Sequence, residues 1–240
     1  MESTAAPAPR PLYPELVPAA VVFDCDGVLL DTESAWAEVQ AEIFRRHGLP
    51  YSSQDQRRLM GWSAADVAQE VARLVAEGPG SVQPTAQQKP TAQQIRADVL
   101  EVEAEILTGR MPPIPGALAL VQRISRAVPT AVASNSTAKI LHTKMTATGI
   151  ADHVHTWVSS DDVENAKPAA DMYVEAARRL GVAPEQCLAV EDSPAGATAA
   201  NRAGMRVIGL SHDGEPVPAS WTISSLEQPE FMELVESWGW

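Results

Sequence analysis

The apolar run Ala19-Ala20-Val21-Val22-Phe23 ends in Asp24-Cys25-Asp26-Gly27-Val28, and this junction constrains the fold more than any other part of the chain. A short, unbroken apolar run bounded by a glycine turn reads as a buried strand. Two carboxylates stand where that strand should stop. In an open α/β sheet the carboxyl ends of the strands are where ligands bind. Residues i and i+2 share a face only while the chain stays extended. Gly27 ends the extension and lets the backbone come close to a ligand. Two ionised carboxylates about 4 Å apart repel by roughly 4 kcal/mol at an effective dielectric near 20, so a proton, a cation or water must lie between them. A cation beside a nucleophilic carboxylate is one chemical solution. An EF-hand loop starting at Asp24 would need Asp or Asn at its fifth position and Glu at its twelfth. Val28 and Ala35 stand there, which excludes it.

Further strand-length apolar runs follow at Thr130–Ser134, Val154–Val158, Cys187–Val190, Val207–Leu210 and Trp221–Ile223. Helical patterns over Gly116–Ala127, Thr137–Thr148, Asp171–Gly181 and Pro194–Ala203 separate most of them. Alternating strands and helices predict an α/β fold, a doubly wound parallel sheet with helices on both faces. Residues 32–112 break the rhythm with helical stripes alone. Trp36, Val39, Ile43 and Phe44 form one stripe. Val67, Val71, Leu74 and Val75 form a second, behind a Ser63/Asp66 capping box. Ile95, Val99, Val102 and Ile106 form a third, behind Thr91 and Gln94. The expected organisation is a tail over 1–16, an α/β core over 17–31 and 113–240, and an inserted all-helical cap domain over 32–112. The return link Met111-Pro112-Pro113-Ile114-Pro115-Gly116 is stiff and cannot be helical. The tandem copies Pro84-Thr85-Ala86-Gln87-Gln88-Lys89 and Pro90-Thr91-Ala92-Gln93-Gln94 are expected to be a mobile loop expansion over Gly78–Lys89.

Composition narrows the partners. The net charge of −13 disfavours nucleic acid and anionic membranes. No apolar stretch has transmembrane length, and Met1–Pro14 lacks the apolar region of a signal peptide. Cys25 and Cys187 sit in strand-like runs and read as reduced core thiols, so the expected location is cytoplasmic.

Three more polar clusters lie at strand ends: Ser134-Asn135-Ser136-Thr137, the stretch from Ser159 to Lys167-Pro168, and Glu191-Asp192-Ser193-Pro194. Short hydroxyl donors before a helix start suit phosphate oxygens. Ser193 as N-cap and Pro194 at the first helical position leave the two adjacent acids unexplained. If the parallel strands line up, Asp24, Asp26, Ser134, Lys167, Glu191 and Asp192 converge at one sheet edge. That gives acids for a hard cation and donors for an anion, a combination suited to phosphoryl transfer with Mg²⁺.

Four segments together resemble the haloacid dehalogenase superfamily, in its branch with a helical cap after the first strand. They are Phe23 to Glu33, Ala133-Ser134-Asn135-Ser136, Lys167 to Tyr173 and Val190 to Gly196. Ala170 departs from that pattern, where proline is more usual. The resemblance implies that Asp24 is the nucleophile and Asp26 the general acid and base. It implies phosphate contacts from Ser134, Asn135 and Lys167, and Mg²⁺ held by Asp24, the Asp26 carbonyl and Asp192, with Glu191 ligating or supporting. Trp36, Trp62 and Ser63 are the cap residues expected to shape the substrate, a small phosphorylated metabolite. Halide or phosphonate chemistry in this family would leave Asp26 idle. The layout is also similar to the β-phosphoglucomutase group, so phosphatase and sugar phosphomutase both remain open. That group has an arginine in the cap loop, where this chain reads Gly61-Trp62-Ser63-Ala64, and a histidine where this chain has Trp36. A non-catalytic receiver that merely accepts phosphate on aspartate is disfavoured by the insert and by the Asp24/Asp26 pairing.

Overall fold

The computed structural model describes residues 17–77, 89–107, 111–211, 214 and 216–239. The expected tail and nearly all of the Gly78–Lys89 segment lie outside the described residues.

Six parallel strands form one sheet: β1 (Ala20–Asp24), β2 (Thr130–Ala133), β3 (Thr156–Val158), β4 (Cys187–Glu191), β5 (Arg206–Leu210) and β6 (Trp221–Ile223). Their order is β3-β2-β1-β4-β5-β6, with β1 in the interior. The chain reverses its winding direction at β1, which makes its carboxyl end the topological switch point. Every residue of β1 is buried. Val21 and Phe23 face one hydrophobic cluster, Ala20 and Val22 the other. This two-sided burial is why the run reads as continuously apolar rather than alternating.

Helices cover both faces. On one side pack α5 (Ala117–Ser125), α6 (Ala138–Ala147) and α9 (Pro229–Ser237). On the other pack α7 (Asp171–Leu180) and α8 (Pro194–Arg202). The bounds of α5, α6, α7 and α8 match the sequence periods to within one or two residues, while α9 had no period read for it. The expected strand Val154–Val158 starts only at Thr156. The His155 amide donates to the Thr130 carbonyl, but the His155 Nδ1 accepts from the Thr130 amide at 3.1 Å. A side chain thus takes the place of a ladder carbonyl at that end.

Between β1 and α5 the chain forms α1 (Glu33–Arg46), α2 (Ser53–Arg58), α3 (Ala64–Glu77) and α4 (Ala92–Leu107). Val39, Ile43 and Phe44, then Val67 and Val71, then Ile95, Val99 and Val102 make a separate core. These are the three stripes of the sequence. Helix α2 gave no such signal because it buries no residue; a Ser52/Asp55 capping box starts it instead. The links into and out of this helical insert lie side by side. The Asp31 amide donates to the Pro112 carbonyl at 2.9 Å and the Ile114 amide to the Leu29 carbonyl at 3.0 Å. No described helix is long and apolar enough to cross a membrane.

Candidate active site

Strand register assembles the site. Asp24 pairs with Ala133 and Phe23 with Val190, so Ser134, just past β2, and Glu191, the last residue of β4, lie beside the end of β1. Gly27 then turns the chain with φ +81°, and a Cβ built on it would lie 1.8 Å from Asp192 Oδ2. Only glycine permits both that backbone and that approach. Gly196 in α8 does the same for Glu191, whose Oε1 lies 1.7 Å from where a Cβ would sit.

Lys167 is the hub. Its ammonium, 3% exposed, donates to Asp24 Oδ1 at 2.5 Å, Glu191 Oε1 at 2.6 Å and the Ala133 carbonyl at 2.9 Å. Three partners use all three protons. Burial alone would lower its pKa, yet the flanking carboxylates raise it far above the ordinary lysine range. Glu191 is equally committed: it also accepts from Tyr173 Oη at 2.6 Å and from the Ser193 amide and hydroxyl at 3.2 and 3.1 Å. Its contacts therefore fix the lysine.

Asp24, Glu191 and Asp192 form an acidic cluster with ligand oxygens within 4.8 Å of one another. Burial pushes Asp24 up, Lys167 pulls it back, and Glu191 and Asp26 push it up again, leaving it at about 7. Asp192 is driven well above the carboxylate range by burial and by Asp24 and Glu191. Two carboxyls pushed toward their protonated forms beside a third acid, with one lysine among them, fit a hard divalent cation.

Asp26 has a different environment, and sequence reasoning missed its main partner. Lys144 of α6 donates to Asp26 Oδ1 at 2.7 Å and to Ser136 Oγ at 2.8 Å. Thr32 Oγ1 donates to Oδ1 at 2.5 Å and Ser134 Oγ to Oδ2 at 3.1 Å. Burial would raise the Asp26 pKa, but the ammonium and these hydroxyls hold it below its ordinary 3.8. Adjacent acids thus lie in opposed states, Asp24 pushed toward its protonated form and Asp26 held ionised; a cation bound at the acidic cluster would favour the carboxylate form of Asp24. A signal for Lys144 existed. It sits between Leu141 and Met145 on the buried face of α6, where a lysine is out of place unless paired.

The remaining sequence candidates divide. Asp24, Asp26, Asn135, Lys167 and Asp192 line one cavity of about 90 Å³, and Trp36 and Trp62 of the insert line it too. Asn135 also braces: its Nδ2 donates to the Gly61 carbonyl at 3.0 Å and its Oδ1 accepts from the Lys167 amide at 3.0 Å. Ser134 is fully buried on Asp26 and does not line the cavity, whereas Ser136 does. Ser63 is the N-cap of α3, its Oγ accepting from the Asp66 amide at 3.1 Å, and lies outside the lining. Glu103 of α4 was also missed; it is 4% exposed, lines the cavity, and burial pushes its carboxyl to about 7.

The chain is similar to known proteins in sequence and in fold. The sequence model of the family described as haloacid dehalogenase-like hydrolase matches residues 18–204. The probable pseudouridine-5'-phosphatase of Drosophila melanogaster is 32% identical over 194 residues, 78% of this chain and 79% of that protein. The validoxylamine A 7'-phosphate phosphatase of Streptomyces hygroscopicus subsp. limoneus is 29% identical over 198 residues, 81% of this chain and 87% of that protein. Among solved structures, CbbY from Rhodobacter sphaeroides in complex with phosphate superposes with a TM-score of 0.72 at 25% identity, covering 88% of this chain and 96% of that one.

Proposed function

Since the chain belongs to the haloacid dehalogenase-like hydrolases, we propose that it is a Mg²⁺-dependent phosphatase acting on a small phosphomonoester, a sugar phosphate or similar metabolite. The observation that carries this reading is the opposed pair at the switch point: Asp24 against Lys167 and the acidic cluster, Asp26 against Lys144. Relatives named as phosphatases of phosphorylated carbohydrates, in Thermotoga maritima, and of fructose 1-phosphate, in Escherichia coli, support the substrate class.

Asp24 attacks phosphorus and the bond to the leaving oxygen breaks, giving an aspartyl phosphate. Asp26 donates a proton to the leaving oxygen. It then takes a proton from the water that cleaves the intermediate and frees Asp24. Lys167, held by Glu191, offsets charge on the phosphoryl oxygens, and Asn135 and Ser136 stand beside it as donors. Asp24, Asp192 and the Asp26 carbonyl would hold Mg²⁺, with Glu191 in support. The bound ion would lower the repulsion between the nucleophile and the phosphate. Residues 32–112 act as the cap that covers the leaving group and excludes water.

Hydrolase is favoured over mutase because no arginine lines the cavity among the described residues. Arg58 donates to Glu70 at 2.6 Å and stacks 5.9 Å from the Trp62 centroid. A mutase must grip a bisphosphate at both ends. The test incubates the enzyme with β-glucose 1-phosphate, a trace of the 1,6-bisphosphate and Mg²⁺, beside a panel of sugar phosphates. Steady release of inorganic phosphate is expected. Rapid glucose 6-phosphate formation with negligible free phosphate would overturn the reading.

A further inference from the structure

Among the described residues, Glu103 is the one acid of the cavity wall contributed by the helical insert. Its neighbours on α4, Val99 and Val102, are sealed in the insert's own core. At 4% exposure a carboxyl would ordinarily be hydrogen-bonded. Among the described residues no donor reaches it, and its electrostatic partners are Lys144 and Asp26 across the cavity. Another polar side chain the insert offers nearby is already occupied. Gln40 donates to the Leu59 carbonyl at 3.3 Å and accepts from Tyr51 Oη at 2.7 Å. Glu103 is thus a buried acceptor aimed at the space a leaving group would fill.

We infer that Glu103 is a specificity-determining residue: it accepts a hydrogen bond from a hydroxyl of a neutral leaving group and rejects leaving groups that carry a second negative charge. This rests on the phosphatase reading above. Four carboxyls line the cavity, from Asp24, Asp26, Asp192 and Glu103, against the ammonium groups of Lys144 and Lys167. Both ammonium groups are already paired, Lys144 with Asp26 at 2.7 Å and Lys167 with Asp24 at 2.5 Å. A divalent cation would offset that excess of negative charge and leave no net positive charge for a second anion. A second anion on the substrate would then meet the Glu103 carboxyl and no unpaired cation among the described lining residues. Specificity built on such a repulsive element discriminates by what it excludes.

The test uses substrate pairs that differ only by CH₂OH against COO⁻: glycerol 3-phosphate with 3-phosphoglycerate, and glucitol 6-phosphate with 6-phosphogluconate. Each is measured as a competitive inhibitor of p-nitrophenyl phosphate hydrolysis with Mg²⁺ at pH 8.5, above the value near 7 for Glu103. In at least one pair the anionic member should bind at least tenfold more weakly to the wild type. That is a conservative share of what two unit charges about 6 Å apart impose at an effective dielectric near 20. Glu103→Gln should bring the ratio within about threefold, and Glu103→Ala, compared by the same ratio, serves if the first variant does not fold. A wild-type ratio near one in both pairs, or a ratio unchanged by either substitution, overturns the inference and leaves the phosphatase reading standing. Failure of the wild type to turn over p-nitrophenyl phosphate with Mg²⁺ removes the phosphatase reading itself and this inference with it.

Discussion

Replacing Lys144 by methionine removes the charge and keeps a side chain of similar length and apolar body. The ammonium is 3% exposed and holds two short hydrogen bonds, to Asp26 Oδ1 and Ser136 Oγ. Removing one partner of a buried ion pair costs about 3–5 kcal/mol when the other charge is left uncompensated. Asp26 is not left bare. Its side chain is 35% exposed into the cavity and keeps the bonds from Thr32 and Ser134. The expected loss is therefore about 2–4 kcal/mol, read as a lower denaturation midpoint with unchanged m-value. The pH dependence has a definite sign. Asp26 is held below 3.8, so its contribution is present above that value and is lost as pH falls through its folded pKa. Burial would lower the Lys144 pKa, but Asp26, Cys25 and Glu103 together raise it above 10.5. Its contribution is present below 10.5 and is lost as pH rises through its folded pKa. The gap between wild type and variant should thus be flat from about pH 4 to pH 10 and narrow outside that window. In activity, a higher Asp26 pKa keeps its acid form to higher pH. The descending limb of kcat/KM for an alkyl phosphate should then move upward. A variant with wild-type stability at pH 7 and an unmoved profile would refute the assignment of Lys144 as the group that sets Asp26.

Asp24→Asn should fold and lose activity by several orders of magnitude, because a carboxamide is a very poor nucleophile; substantial phosphate release by this variant would remove Asp24 as the nucleophile. Since Asp24 is raised to about 7 in the fold from 3.8, ionising it costs stability as pH rises through that interval. Without added Mg²⁺, the same variant should melt higher than wild type at pH 8 by more than it does at pH 4. Gly27→Ala should lose metal-dependent activity and about 1–3 kcal/mol of stability, since φ is +81° and Asp192 Oδ2 occupies the space of the new methyl group; calorimetry and a Mg²⁺ titration would report both. EDTA should abolish turnover and Mg²⁺ restore it, while Ca²⁺, with its larger and looser coordination, should restore it poorly; full activity in chelator would contradict the metal site.

The sheet was legible because its strands are buried on both faces, leaving short apolar runs that no helix period explains. The shared edge of Asp24, Asp26, Glu191 and Asp192 followed from parallel register, since Phe23 pairs with Val190 and Asp24 with Ala133; Lys167 lies in the loop between β3 and α7, where register does not place it. The insert's three stripes were legible for the same reason that they pack. Local signals failed where a residue's partner lies far away in sequence. Glu103 looks like a solvated charge, and Lys144 is only a misplaced lysine on a buried helix face, until Asp26 is set opposite them, 118 residues from the lysine. Ser63 shows the converse: its capping role lies within three residues and was readable, and it leaves no hydroxyl for the cavity. Ser134 points to a subtler limit, because sequence gives the strand end a hydroxyl but not which oxygen it serves.

The paired links at Leu29–Asp31 and Pro112–Ile114 bear on how such a protein can vary. Because the chain leaves and rejoins the sheet at adjacent points, everything from residue 32 to residue 111 can lengthen, shorten or be exchanged without moving a strand. A turn spliced across the gap would close the same backbone bonds. The strand-end edge and the cavity wall of the insert can therefore diverge at different rates, one fixed by sheet register and the other tied to it, among the described residues, at a two-stranded neck and at contacts such as Asn135 with Gly61.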